Sequence, residues 1–217
     1  GSEMCIRDRI ELLILKFVFI KHPHLRCLVP LFHATDAHSS QIFHTAQGLQ
    51  PAEFSSEEGV QQGPLINEKA AVNVKQMVKS SVLDGAKLIL GGERSDLGPC
   101  FFQPTILTEV APNMTVFRNE IFGPVASTET WEDEEEVIRK ANDTIFGLAA
   151  GIWTKDSTKG MMVANKIEAG TVYINNYFNA ATQSPVGGYK QSGYGRENGW
   201  EGMRCFMQTK SVWLSTN

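Results

Sequence analysis

The chain of 217 residues lacks features that mark several large functional classes. Its four cysteines are far apart and form no C-x-x-C pair, which argues against a disulfide framework and against a zinc ribbon. This cysteine usage fits a reducing compartment, so we expect a cytoplasmic protein. The net charge of −4 provides no basic surface for a polyanion, and nucleic acid is not an expected partner.

Long apolar runs are also missing. The longest, Leu12–Ile20, is interrupted by Lys16 and is shorter than the about 20 residues that a membrane-spanning helix needs. No small-residue cleavage pattern follows it, which argues against a signal peptide. The sequence therefore predicts no association with a membrane.

Histidine is absent after residue 44, since all five histidines lie between His22 and His44. Imidazole is a common metal ligand, and the pair His22-x-His24 could chelate a metal from an extended segment. Two imidazoles do not complete a ligand set, so no metal site is expected, and a metal-binding module built on the five histidines is a weaker alternative. We interpret the change in composition as a boundary near residue 50, with residues 1–50 a foreign or disordered segment.

From Gly63 onward, hydrophobic periodicity predicts alternating helices and strands. Ala71, Val74, Val78 and Val82 recur at helical spacing, and Gly85 ends that helix. Further helices are predicted at Asp133–Ala141 and Asp156–Glu168, and strands at Lys87–Leu90, Phe101–Leu107, Val125–Thr130, Leu148–Trp153, Thr171–Asn175 and Ser211–Ser215. Strands that alternate with helices of about ten residues predict an α/β fold with a largely parallel sheet.

Two segments carry a resemblance to a known family. The first is Glu120-Ile121-Phe122-Gly123-Pro124-Val125, and the second is PVGGYKQSGYGRENG from Pro185 to Gly199. In this order and spacing they resemble the C-terminal part of the NAD(P)-dependent aldehyde dehydrogenases. The resemblance covers residues 60–217 and implies part of a doubly wound, largely parallel catalytic-domain sheet over residues 51–207, followed by an oligomerisation strand at residues 208–217. It also implies a homo-dimer or homo-tetramer for the full-length parent.

The activity that the resemblance implies is oxidation of a small-molecule aldehyde to the carboxylic acid with NAD or NADP, through a cysteine thiohemiacetal and a thioester. Family members hold the cofactor with the glutamate of the E-x-F-G-P motif, which accepts hydrogen bonds from both ribose hydroxyls. By residue-to-residue match, Glu120 has this role and Phe122 packs near the nicotinamide. Without the resemblance, Glu120 would be interpreted as a solvated surface carboxylate.

The segment before the second motif resembles the substrate channel of the family, and its channel residues are Asn176, Tyr177, Phe178, Ala180 and Val186. The two aromatic side chains could enclose a cationic headgroup, or could equally be core residues at a strand end. The glycine-rich stretch is most similar to betaine-type and aminoaldehyde members, whereas Gly63–Lys69 is similar to succinate-semialdehyde members. The identity of the aldehyde stays open.

Within the second motif, the spacing of the glycines does not fit a dinucleotide-binding fingerprint. Glu197 stands at the position of an acid that some family members use for proton relay, and Arg196 is expected to be an internal or interface ion-pair partner. A structural role for both residues is equally well supported.

Segments that the family needs for chemistry do not occur in this sequence. The Gly-Gln-x-Cys context of the nucleophile and the Glu-Leu-Gly-Gly context of the base are both missing, and the neighbours of Cys27 match neither. Cys100 and Cys205 lie in the matching region and are expected to be buried. We therefore expect a C-terminal fragment that is inactive by itself, with a non-catalytic assembly fragment, held by contacts through residues 195–217, as the alternative.

Overall fold

A computed structural model describes residues 31–33, 62–176 and 181–216. The first part of the fold is a four-stranded sheet with strand order β1-β4-β3-β2. These strands are β1 (Leu31–His33), β2 (Lys87–Leu90), β3 (Thr105–Thr108) and β4 (Val125–Glu129). β4 pairs in parallel with both β1 and β3, and β2 is an antiparallel strand beside β3.

Helix α1 (Glu68–Leu83) packs on this sheet because one stripe of its surface is apolar. The helix begins where the side chain of Asn67 accepts a hydrogen bond from the backbone N–H of Ala70 at 2.9 Å. The buried stripe contains Ala71, Val74, Val78 and Ser81. Ser81 also binds the short helix α2 (Thr115–Arg118), since its Oγ accepts from the N–H of Val116 at 3.2 Å.

The remaining elements follow in the second half of the chain, and some of them enclose a second core cluster. They are α3 (Glu134–Asn142), β5 (Phe146–Gly147), β6 (Ala149–Ile152), α4 (Ser157–Lys166), β7 (Thr171–Ile174), β8 (Tyr189–Lys190) and α5 (Gly199–Arg204). β6 and β7 pair in parallel, with Ala149 opposite Thr171, whereas β5 and β8 pair antiparallel. Val137, Ile152 and Val163 are fully buried between these elements. The mixed α/β fold with largely parallel strands is confirmed.

The start of α3 follows its sequence signal closely. The Asp133 side chain accepts from the N–H of Glu136 at 2.8 Å, and the Glu136 carboxylate accepts from the N–H of Glu132 at 2.8 Å. The first bond is the usual N-cap bond, and the second reaches one residue further back than in a standard capping box, to the residue before the N-cap.

Three regions differ from the sequence-based expectation. The strand predicted from Phe101 begins only at Thr105, because Pro104 has no N–H for a ladder bond. Residues 208–216 have no regular secondary structure in the single chain, since none of the described residues pairs with them. β1 lies inside the segment that composition assigned to foreign or disordered sequence, and it pairs with β4.

None of the helices in the described ranges combines the length and the apolarity that a membrane span requires. The histidine cluster falls outside the described residues, apart from the backbone of His33.

Candidate functional site

The segment Glu120–Pro124, here called the arm, connects α2 to β4 and contains the first motif. Its end is fixed to the sheet, because the carbonyl of Pro124 accepts from the N–H of Thr105 at 2.8 Å. Gly123 is buried against α1, where a Cβ atom would be 2.7 Å from Cγ2 of Val74. Phe122 has a φ of 51°, in the left-handed region that few residues other than glycine adopt, and the residue is 44% exposed.

Glu120 has a carboxylate oxygen that is buried yet lacks a partner. No described residue forms a hydrogen bond to its Oε1. Burial raises the pKa of the Glu120 carboxyl from 4.5 to about 7. Because an unsatisfied buried acceptor is costly, it is a position where a ligand that donates hydrogen bonds would be stabilised.

Glu120 and Phe122 border a cleft with a volume of about 510 Å³. One face of α1 forms the other side of the cleft. Within the described residues, Glu120 is the only ionisable side chain that lines the cleft. The remaining lining residues are Ala70, Asn73, Gln76, Met77, Ser80, Thr115, Ile121 and Phe122. The cleft therefore combines one carboxylate with neutral amide and hydroxyl groups that can both donate and accept hydrogen bonds.

Sequence reasoning missed the contribution of α1 to this cleft. Asn73, Gln76 and Ser80 lie beside the buried stripe of the helix, at spacings that place them along one side. Polar residues at these positions are typical of a solvent-exposed face, so only the three-dimensional position of the arm identifies them as site residues.

A second cleft, of about 770 Å³, lies beside Glu197. Val186 and Glu197 form an isolated antiparallel bridge in which each N–H donates to the other carbonyl, at 2.8 Å and 2.7 Å. The structure thus brings these two predicted site residues together. Among the described residues the two clefts have no lining residue in common, so Glu197 does not share the surroundings of Glu120.

Arg196 stabilises the loop that contains Glu197. Its Nη1 donates to the carbonyls of Gly188 at 3.2 Å and Gly195 at 2.6 Å. Its guanidinium carbon lies 5.5 Å from the ring centroid of Tyr189. Within the described part of the chain Arg196 has no carboxylate partner, and its guanidinium contacts carbonyl oxygens and an aromatic face instead. An ion pair at a subunit interface stays a prediction.

The other predicted residues are placed as follows. Asn176 is exposed after β7 and Val186 is half-buried, whereas Tyr177, Phe178 and Ala180 lie outside the described residues. Cys100 is half-buried, and Cys205 is exposed beside the second cleft, so the expectation of burial was wrong for Cys205. The physical reason is that α5 and the residues after it present apolar side chains to solvent, with Phe206 94% exposed.

Comparison with known proteins shows similarity to one family. The family model described as "Aldehyde dehydrogenase family" matches residues 32–212. The chain belongs to the aldehyde dehydrogenase family. The family match starts at residue 32, whereas the change in composition indicated a boundary near residue 50.

An aldehyde dehydrogenase of Enchytraeus buchholzi is 43% identical over 154 residues, covering 71% of this chain and 31% of that protein. A betaine aldehyde dehydrogenase of Brucella anthropi is 44% identical over 163 residues, covering 73% and 33%. The solved Mycobacterium tuberculosis aldehyde dehydrogenase complexed with NAD+ has a TM-score of 0.78 and 39% identity, covering 83% of this chain and 37% of that one. The chain thus spans about a third of the length of these aldehyde dehydrogenase relatives.

Proposed function

We propose that this chain is the C-terminal part of the catalytic domain of an NAD(P)-dependent aldehyde dehydrogenase, and that its arm holds the nicotinamide riboside half of the cofactor. The observation that carries the proposal is the Glu120 carboxylate, which has a buried oxygen without a partner and faces the 510 Å³ cleft. Both the family membership and the neutral polar lining support it.

The arm suits a ribose in its chemistry and in its rigidity. A carboxylate can accept hydrogen bonds from two neighbouring hydroxyls, and the amides of Asn73 and Gln76 can donate or accept at the same cleft. The exposed ring of Phe122 offers a flat apolar surface beside the carboxylate. The bound cofactor would accept the hydride from the oxidised carbon, and the role of this chain would be to fix the orientation of the nicotinamide.

The nucleophilic step requires residues that this sequence does not contain, because no cysteine stands in a Gly-Gln-x-Cys context. Cys205 lies beside the second cleft and Cys100 lines neither cleft. The chain alone is therefore expected to be inactive. In the complete enzyme Glu197 would relay a proton, and Asn176, Tyr177, Phe178, Ala180 and Val186 would border the substrate channel.

The substrate we propose is a small aldehyde, with betaine aldehyde as the first to test because one relative bears that name. The cofactor is NAD or NADP, and the ribose-binding segment that distinguishes the two in the family does not occur in this sequence. We further propose that the complete enzyme works in the cytoplasm as a homo-dimer or homo-tetramer.

The activity test uses two proteins. The purified chain is assayed for aldehyde-dependent NADH formation with betaine aldehyde, succinate semialdehyde and propanal, beside its Cys27→Ala variant. A chimera replaces the corresponding segment of the Brucella anthropi enzyme by residues 62–216. We expect turnover from the chimera alone. Turnover by the isolated chain that disappears in Cys27→Ala would overturn the proposal.

A second candidate function is assembly without catalysis. Phe206, Trp213 and Leu214 are 94%, 93% and 87% exposed, which is unusual for large apolar side chains in a monomer. Such a segment would be buried if the chain paired with another copy. Sedimentation velocity on the chain and on a Trp213→Ser, Leu214→Ser variant tests this: a dimer only in the unaltered chain supports assembly, and a monomer in both argues against it.

A further inference from the structure

The residue that ends α2 forms a two-point ion pair with a distant corner of the fold. Arg118 Nη1 donates to Asp143 Oδ1 at 3.2 Å, and Arg118 Nη2 donates to Asp143 Oδ2 at 3.0 Å. Nη1 also lies 3.4 Å from the backbone carbonyl oxygen of Asp143. The guanidinium carbon is 5.2 Å from the ring centroid of Phe117, so the same group is also held over an aromatic face.

Asp143 is held firmly in position, because the residue before it, Asn142, forms hydrogen bonds to several other segments. The Asn142 side chain donates to the carbonyl of Lys166 at 2.8 Å and accepts from the N–H of Glu168 at 2.9 Å. The Nζ of Lys190 donates to the backbone carbonyl of Asn142 at 2.7 Å. Asn142 and Asp143 therefore form a corner that ties together α3, the end of α4 and β8.

Arg118 lies two residues before Glu120 in the chain. Among the described residues, the hydrogen bonds around the arm lie at its ends: the N–H of Asn119 donates to the carbonyl of Thr115 at 3.0 Å, and that of Val125 donates to the carbonyl of Gly123 at 2.8 Å. Glu120 Oε1 itself has no partner. The arm is also held by the packing of Gly123 on Val74 and of Ile121 on the first core cluster, and Arg118 is the charged contact at its first end.

The ion pair is poorly suited to a role in global stability. The side chains of Arg118 and Asp143 are 45% and 47% exposed, and pairs with such exposure contribute little to folding. Bidentate geometry, in contrast, restrains orientation as well as distance. The pair can therefore constrain the arm strongly while adding little to the stability of the whole chain.

We propose that Arg118 and Asp143 are positioning residues, and that their ion pair keeps the Glu120 carboxylate in its place at the cleft. The inference rests on the proposed function of Glu120 for its biological meaning, but not for its test. It assigns a role to two residues outside the cleft and outside both sequence motifs.

The test follows the ionisation of Glu120 in the full 217-residue chain by carbon-13 NMR of its carboxyl group. Arg118→Gln and Asp143→Ala are compared with Lys87→Gln, which breaks the exposed ion pair between Lys87 and Glu109 on the other side of the sheet. We expect both positioning variants to lower the pKa of Glu120 by about one unit or more, because the carboxylate leaves its buried position. Their melting temperatures should stay within about 3 °C of the unaltered chain.

The direction of the two shifts separates positioning from a simple charge effect. Through space, loss of the arginine charge raises a carboxyl pKa and loss of the aspartate charge lowers it. The proposal is supported if the pKa of Glu120 falls equally in Arg118→Gln and in Asp143→Ala. It is further supported if the pKa of Glu120 recovers in the double variant Arg118→Asp, Asp143→Arg, which exchanges the two residues. Shifts in opposite directions, or no shift in either variant, overturn it.

A parallel titration with nicotinamide mononucleotide distinguishes this inference from the proposed function. In one outcome, the two variants shift the pKa of Glu120 but the nucleotide perturbs the signals of no cleft residue in the unaltered chain. The positioning role of Arg118 and Asp143 then stands, and the cofactor role of Glu120 fails. If the nucleotide binds at the cleft equally well in all variants, and Glu120 titrates unchanged, then the positioning role is the one that fails.

Discussion

Gly123 lies directly against Val74, so that a Cβ atom on the glycine would be 2.7 Å from Cγ2 and 3.1 Å from Cγ1 of the valine. Val74 is 1% exposed and cannot move aside without disturbing the core. This close approach is what brings the arm down onto α1. The glycine of the first motif is thus required by packing, and the position of Glu120 and Phe122 over the cleft follows from it.

Replacing Gly123 by alanine should therefore destabilise the chain by about 1–3 kcal/mol, because a methyl group is forced into a filled core. The free energy of unfolding is measured in urea. Gly63→Ala is the matched control, since no atom lies within 4 Å of a Cβ at that position. Equal stability of the two variants would show that the arm does not rest on Val74.

The raised pKa of Glu120 predicts a pH dependence of stability. The folded protein holds this proton up to a pKa of about 7, whereas the unfolded chain releases it near 4.5, so the native state binds more protons between these values. The contribution of Glu120 to the free energy of unfolding is accordingly highest below pH 4.5 and is lost as the pH rises through 7.

Glu120→Gln removes this titration. We expect the variant to gain about 1 kcal/mol or less relative to the unaltered chain between pH 4.5 and 8, because solvent screens much of the effect. Urea unfolding at a series of pH values gives the difference. A difference that is independent of pH would mean that Glu120 ionises like an exposed carboxyl group.

Lys140 forms an ion-pair network that should matter more than any pair on the exposed surface. Its Nζ lies 2.8 Å from Glu129 Oε1 and 2.9 Å from Glu136 Oε1, and its side chain is only 15% exposed. Burial alone lowers the pKa of Lys140, but the hydrogen bonds to Glu129 and Glu136 outweigh it, and the pKa lies above its usual value. The lysine therefore stays charged throughout the physiological range.

Lys140→Ala should cost about 2–4 kcal/mol in unfolding free energy, because Glu129 keeps a largely buried carboxylate that has lost its cation. Lys87→Ala is the comparison, since that ion pair has side chains that are 63% and 57% exposed and should contribute about 1 kcal/mol or less. Thermal and urea unfolding of both variants measure the contrast. If Lys140→Ala lost no more unfolding free energy than Lys87→Ala, the result would contradict a stabilising role for the network.

Local signals in the sequence predicted much of the fold. Asp133 and Asp156, the first residues of two predicted helices, each accept hydrogen bonds at the helix start, and Gly85 has the positive φ of 114° expected after α1. These features depend on neighbours within a few residues. Phe122 and Glu120 were identified through the motif, and the structure places them at one cleft.

What the sequence missed depends on contacts between distant segments. Asn73 and Gln76 belong to the cleft only because the arm packs over α1. Asp143 contacts Arg118, which is 25 positions away in the chain. The exposure of Cys205 reflects the surroundings of α5 rather than the usual burial of its residue type. Periodicity and composition carry no information on such pairs.

The central claim is that the Glu120 cleft holds the nicotinamide riboside half of the cofactor. The most direct measurement is a titration of the isotope-labelled chain with nicotinamide mononucleotide, followed by NMR signals of Glu120, Phe122, Asn73 and Gln76. We expect saturable NMR shifts at these residues. The shifts should weaken at least tenfold in Glu120→Ala. They should persist in Glu201→Ala, which alters an exposed carboxylate of α5. Saturable shifts confined to the second cleft, or equal binding by Glu120→Ala, would contradict it.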